Sequence, residues 1–183
     1  MRSRLSLDEF NTILKASESM NPWVSNSMLV ALLTGQRLED IAGMKFSDVS
    51  DGWLHVKQHK SGSLVRLSVG LHLDVLDMSI KDVVSRCRDR VVSRRLIHHV
   101  RNTSRGRAGG AVNKLTMSKG FKDARNLSGL KWDNPPSFHE IRSLSGRLYK
   151  DQSIDAQSLL GHKDAKTTAL YVDPRGSEWI SVG

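Results

Sequence analysis

The chain has 183 residues, 38% of them hydrophobic, which is enough apolar material for one core of ordinary domain size. Lysine and arginine number 28 against 19 for aspartate and glutamate, so the net charge of +9 points to a polyanionic partner, nucleic acid first. No apolar run approaches the roughly 20 residues of a spanning helix and no basic amphipathic segment carries an unbroken apolar face, so no membrane partner is expected; the single cysteine, Cys87, excludes an intramolecular disulfide and a cysteine-rich zinc module and suits a reducing cytoplasm.

In chain order, Ser6 to Glu9 has the spacing of a capping box, and Leu7, Phe10, Ile13 and Leu14 recur at helical intervals, predicting a helix to about Glu18. Asn21-Pro22 opens a second, largely apolar helix from Trp23 to about Leu33, ended by Gly35. A short helix over about Leu38 to Met44 leads to the turn Asp51-Gly52 and a strand from Trp53 to Lys57. Ser61-Gly62 separates that strand from Leu64 to Val69, which puts Lys60 at the tip of a β-hairpin, its side chain free to reach outward. Helical periodicity returns from Leu73 to Val84. A dense positive run follows: Arg86, Arg88, Arg90, Arg94, Arg95, Arg101, Arg105 and Arg107, with a flexible loop expected over Gly106 to Gly110. Further helices are expected from about Val112 to Leu127, from Phe138 to about Lys150 after Pro135-Pro136, from Asp155 to Leu160, and from about Ala165 to Tyr171, with a short strand over Glu178 to Val182. The fold class is therefore α+β, mostly helical, with a small antiparallel sheet, and one domain is expected.

His139 and Arg142 lie three apart on one helix face, and His162 follows the glycine that closes a short helix, nine residues before Tyr171. Taken singly, each has an ordinary explanation: a solvated face, a capping or core histidine, a core aromatic. Taken in order, Thr34-Gly-Gln-Arg37, Lys60 in a hairpin, His139-Glu-Ile-Arg142, Leu159-Leu-Gly-His162 and Tyr171 resemble the tyrosine recombinases, most of all the integrases of lambdoid bacteriophages. The likeness runs from Arg2-Ser-Arg-Leu5 to Arg175-Gly-Ser-Glu-Trp179 and includes Phe138-His-Glu140, Arg142-Ser-Leu-Ser145 and Leu160-Gly-His-Lys163.

The resemblance implies a C-terminal catalytic domain, with arm-binding and core-binding domains lying outside this chain, that cuts and rejoins DNA through a 3′-phosphotyrosyl intermediate on Tyr171. The residue types suit that chemistry. A phosphodiester repels a nucleophile and gathers more charge on its non-bridging oxygens during attack, so cations must be held there. Arg37 and Arg142 offer planar forks of donors that lysine cannot copy. A phenol needs a nearby proton acceptor, for which His139 is the candidate, and the departing 5′ oxygen needs a proton, which the family takes from its hairpin lysine, here Lys60. His162 is expected to donate a hydrogen bond to the phosphate. With these cations and no cluster of carboxylates, cleavage is expected to need no metal or other cofactor. The partners implied are double-stranded DNA attachment sites, a homotetramer on two duplexes, and DNA-bending accessory proteins, in the cytoplasm of a bacterial host. By the same analogy Trp179 to Val182 contact a neighbouring protomer.

His55, His59, His72, His98 and His99 lack ligand-like spacing and are expected to be surface, turn or strand residues; in a strand, His98 and His99 would point to opposite faces, which argues against a joint site. The arginine run suits either phosphate contacts or a solvated basic face. Trp23, Trp53, Trp132 and Trp179 are expected to pack and not to stack on bases. A type IB topoisomerase and a DNA-binding module without turnover are the rival functions.

Overall fold

The computed structural model describes residues 3–104, 106–162 and 166–167. Helix α1 (Leu7–Ser17) starts on the expected capping box: Ser6 accepts from the Glu9 amide, and the Glu9 carboxylate takes the Ser6 N–H. Glu9 also accepts from the Trp132 indole at 2.8 Å, which ties α1 to the loop that precedes Phe138.

Helix α2 (Pro22–Thr34) is buried over every residue from Trp23 to Thr34. A helix apolar on all sides can be stable only when surrounded, and α2 packs against α1, α3 (Leu38–Gly43), α4 (Ile80–Cys87), α5 (Lys114–Leu127) and α6 (His139–Asp151). It is the axis of the core. Gly35 caps its C-terminus in the left-handed region at φ 64°, and an added Cβ there would approach Leu160 and Ser145 to 3.0 and 3.1 Å.

Strands β1 (Val49–Ser50), β2 (Trp53–Lys57) and β3 (Leu64–Ser68) form an antiparallel sheet in that order, and Lys60 is exposed in the β2–β3 turn as the sequence predicts. The short helix α7 (Ala156–Leu160) packs against α6 and β3. Of the helix expected over 165–171, Lys166 and Thr167 are described and helical; Tyr171 and the strand expected over 178–182 lie outside the described residues.

Two expectations are corrected. The helix expected from Leu73 begins at Ile80: Leu73 pairs with Met78 in a small hairpin of β4 (His72–Leu73) and β5 (Met78–Ser79), and Asp77 between them is left-handed at φ 46°. The helix start is set by a second capping box, Ser79 with Asp82, whose carboxylate is held below its ordinary range by the Ser79 hydroxyl and amide. His98 and His99, expected as surface, turn or strand residues, are buried. His98 lies with Nε2 3.1 Å from the Asp89 carboxylate, and His99 meets the Trp23 ring edge-on, with Gly106 so close that a Cβ there would fall 2.4 Å from the imidazole.

The basic run divides accordingly. Arg86 donates to Asn26, Arg88 stacks over Phe46 at 4.4 Å, and Arg95 donates to the Gly43 carbonyl, while Arg90, Arg94, Arg101 and Arg107 are exposed. Among the described residues no helix is long and apolar enough to cross a membrane. Replacing Ser79 with alanine is expected to cost about 1 kcal/mol of stability through the lost cap; an unchanged urea midpoint would count against this helix start.

Candidate active site

Helix α6 carries His139 and Arg142 one turn apart. Arg142 is only 1% exposed. Such a buried cation must be compensated, and its donors reach the Gly35 carbonyl at the end of α2, the Leu160 carbonyl at the end of α7 (2.6 Å), and Nε2 of His162 (3.0 Å). A guanidinium has no acceptor, so Nε2 of His162 accepts in this contact. His162 is itself 8% exposed and follows Gly161, which caps α7 at φ 62°.

Arg37 sits half-buried at the start of α3, its Nη1 donating to Oε1 of Gln58 at 3.0 Å. Gln58 is buried at the root of the Lys60 turn and donates from Nε2 to Oε1 of Gln36 (2.7 Å) and to the Leu160 carbonyl (2.9 Å). Gln36, also buried, donates to the Thr34 and Leu159 carbonyls. The two glutamines thus join the α2–α3 corner, the hairpin and the end of α7. Asp40 adds a second anchor, accepting from the His59 amide at 2.7 Å.

His139 presents an exposed face, yet the protein packed around its base and then the charge of Arg142 lower its pKa below the ordinary histidine range, against an opposing effect of Glu140 and with lesser help from Arg37 and Lys60. With Arg37 and Lys60 acting on the same imidazole as Arg142, and Arg142 bonded in turn to His162, the predicted residues of four separate segments meet in one site: the α2–α3 corner, the hairpin, α6 and the end of α7. At neutral pH the imidazole is uncharged and able to take a proton. Glu140 is engaged elsewhere, accepting from Arg4 at 3.3 Å with both side chains nearly buried.

Of the two tyrosines in the chain, Tyr149 is buried in α6 with its hydroxyl donating to the Leu33 carbonyl at 2.8 Å, and burial raises its pKa further. It is a packing residue.

A protein-family model, the phage integrase family, matches residues 3–178. The chain belongs to that family. It is 45% identical over 183 residues to the integrase of Enterobacteria phage P21, covering 99% of this chain and 48% of that protein. Among solved structures it is similar to a lambda integrase dimer bound to a COC′ core site, with a TM-score of 0.89 and 39% identity over 100% of this chain and 63% of that one. It is also similar to the lambda integrase catalytic core, with a TM-score of 0.81 and 41% identity over 88% of this chain and 96% of that one. The chain spans about half the length of the curated relatives it matches.

For this phage integrase family member, the structure brings Arg37, Lys60, His139, Arg142 and His162 together, while Tyr171 lies outside the described residues. Sequence reasoning missed Gln36 and Gln58. A signal for Gln58 was present: with Leu54 and Val56 facing inward along β2, the two-residue period carries the next inward position to 58.

Two outcomes are expected. The ring protons of His139 should titrate by NMR with a midpoint below that of an ordinary histidine; because the folded protein disfavours the charged ring, stability should also fall as pH drops through the ordinary histidine range. A midpoint at or above the ordinary value would contradict the site's electrostatics. Gly161→Ala should cost about 2 kcal/mol or more, since φ is positive and the new Cβ would sit 2.7 Å from both Gln58 Nε2 and Val65 Cγ2; denaturant unfolding measures it.

Proposed function

We propose that this chain is the catalytic domain of a site-specific tyrosine recombinase that integrates and excises phage DNA. The observation that carries the proposal is the cationic site built from Arg37, Lys60 and Arg142 around an imidazole with a lowered pKa, His139, with His162 bonded to Arg142 beside it. In the reaction, the Tyr171 hydroxyl attacks phosphorus and gives its proton to His139. The bond from phosphorus to the 5′ oxygen breaks, Lys60 protonates that oxygen, and a 3′-phosphotyrosyl bond remains. Arg37 and Arg142 hold the non-bridging oxygens, and His162 donates a further hydrogen bond once its ring turns from Arg142 to the phosphate. Burial and satisfaction of Tyr149 leave Tyr171 as the other tyrosine of the chain to carry the attack. The chemistry is transfer and not hydrolysis, because the phosphodiester energy is kept in the tyrosyl bond for rejoining.

The lambda integrase relatives are described as a dimer on a core site and as a tetramer on a Holliday junction. By that likeness the partners here are double-stranded attachment-site DNA and three further copies; DNA-bending proteins and a bacterial cytoplasm complete the proposed reading. The exposed Arg90, Arg94, Arg101 and Arg107 suit sequence-independent phosphate contact. No metal or other cofactor takes part in this reading, since arginine and lysine supply the charge.

Incubation with a nicked suicide duplex in EDTA should yield a covalent protein–DNA adduct on a denaturing gel, and Tyr171→Phe should abolish it. An adduct that persists in Tyr171→Phe, or that requires added divalent ions, would overturn the assignment. Arg37→Lys should slow adduct formation on the order of 100-fold with DNA binding largely retained; a rate equal to wild type would remove Arg37 from the transition state.

A further inference from the structure

Gln58 is 0% exposed although its neighbours His59 and Lys60 are exposed. Burying an amide is costly unless its hydrogen-bonding capacity is met, and here all of it is. Nε2 donates to Gln36 Oε1 (2.7 Å) and the Leu160 carbonyl (2.9 Å); Oε1 accepts from Arg37 Nη1 (3.0 Å) and the Ser61 hydroxyl (2.8 Å). The orientation is forced, because a guanidinium can only donate and a carbonyl can only accept. No other side chain of this length both donates and accepts twice: glutamate lacks the donors and methionine lacks both.

The contacts join the two ends of the site. The Leu160 carbonyl receives Gln58 and Arg142 together, so Arg37 is linked to Arg142 through one amide and one carbonyl. The turn that bears Lys60 closes on the same residue: the Gln58 amide donates to the Ser63 carbonyl (2.9 Å), the Gly62 amide donates to the Gln58 carbonyl (2.8 Å), and Ser61 bonds the side chain. Gly161 admits the amide, for a Cβ there would occupy its place. We propose that Gln58 is a positioning residue that fixes the Lys60 turn in register with Arg37 and the Arg142 end of the site, so that the proton donor meets the 5′ oxygen. It does not touch the substrate. The inference rests on the recombinase reading, in which Lys60 is the general acid.

The test compares wild type with Gln58→Met on two suicide duplexes, one ordinary and one with sulfur in place of the bridging 5′ oxygen. A thiolate leaves without a proton, so the sulfur substrate bypasses Lys60. On the ordinary duplex Gln58→Met should form adduct on the order of 100-fold more slowly than wild type; on the sulfur duplex the deficit should shrink at least tenfold, the remainder reflecting Arg37. The ratio of the two rates within one sample does not depend on how much of the variant is folded. Ser61→Ala, which removes one half-buried contact, should shift the same ratio in the same direction by less. Equal deficits on both duplexes, or no deficit on the ordinary one, overturn the role of Gln58 while leaving the recombinase reading intact. A wild-type protein that forms adduct on neither duplex overturns the recombinase reading and this inference with it.

Discussion

The buried guanidinium of Arg142 is the constraint on which the rest of the structure depends. A cation that is 1% exposed can be kept only if the surrounding protein replaces the water it has lost. The replacement comes from the carboxyl ends of two helices, the Gly35 carbonyl after α2 and the Leu160 carbonyl at the end of α7, where unsatisfied carbonyls and the helix dipole both favour positive charge. The fold therefore has to bring α2, α6 and α7 together at one point, and that point is where Arg37 and His162 also arrive. Stability and site geometry have the same source here.

From that anchor the electrostatics follow. The protein packed around the base of His139 first, and the cations converging there second, make the region hostile to further positive charge, so the His139 pKa is lowered while Arg142 remains charged. A region with a deficit of anions and an uncharged base is suited to a phosphodiester, whose charge supplies what the protein leaves out. The carboxylates nearby do not fill the gap: Glu140 is paired with Arg4, and Asp40 holds the His59 amide.

Positive charge elsewhere in the chain has a mixed role. Arg86 ties α4 to α2 through Asn26, and Arg88 and Arg95 bind Phe46 and the Gly43 carbonyl and so secure the start of the irregular segment between α4 and α5, whereas the side chains of Arg90, Arg94, Arg101 and Arg107 face solvent. A run that looks uniform in sequence is divided by which side chains find partners. His98 and His99 hold the same segment from within, against Asp89 and Trp23.

The helices α1, α2, α5 and α6 and the Lys60 hairpin were legible in the sequence because their signals are local: the Ser6 capping box, apolar periodicity, Asp51-Gly52 and Ser61-Gly62. The site residues were legible as an ordered series of motifs, which the phage integrase match bears out as a family without assigning each role. The helix expected from Leu73 failed for a reason equally physical. An apolar period of three to four cannot reveal that Asp77 takes a left-handed backbone, and the β4–β5 hairpin it permits is clamped by Gln152, which bonds the His72 carbonyl and the Asp74 amide from the far end of α6. A limit of the same kind hid the role of Gln36 and Gln58, although the inward position of Gln58 could be read from β2: their meaning lies in contacts with Leu159 and Leu160 more than a hundred positions away. By itself the sequence determined which side chains are available and where helices and turns begin, since those depend on neighbours along the chain. Only the tertiary structure decided which cation is buried, which imidazole stays neutral and which amide joins them, since those depend on burial and on partners that meet only when the chain has folded.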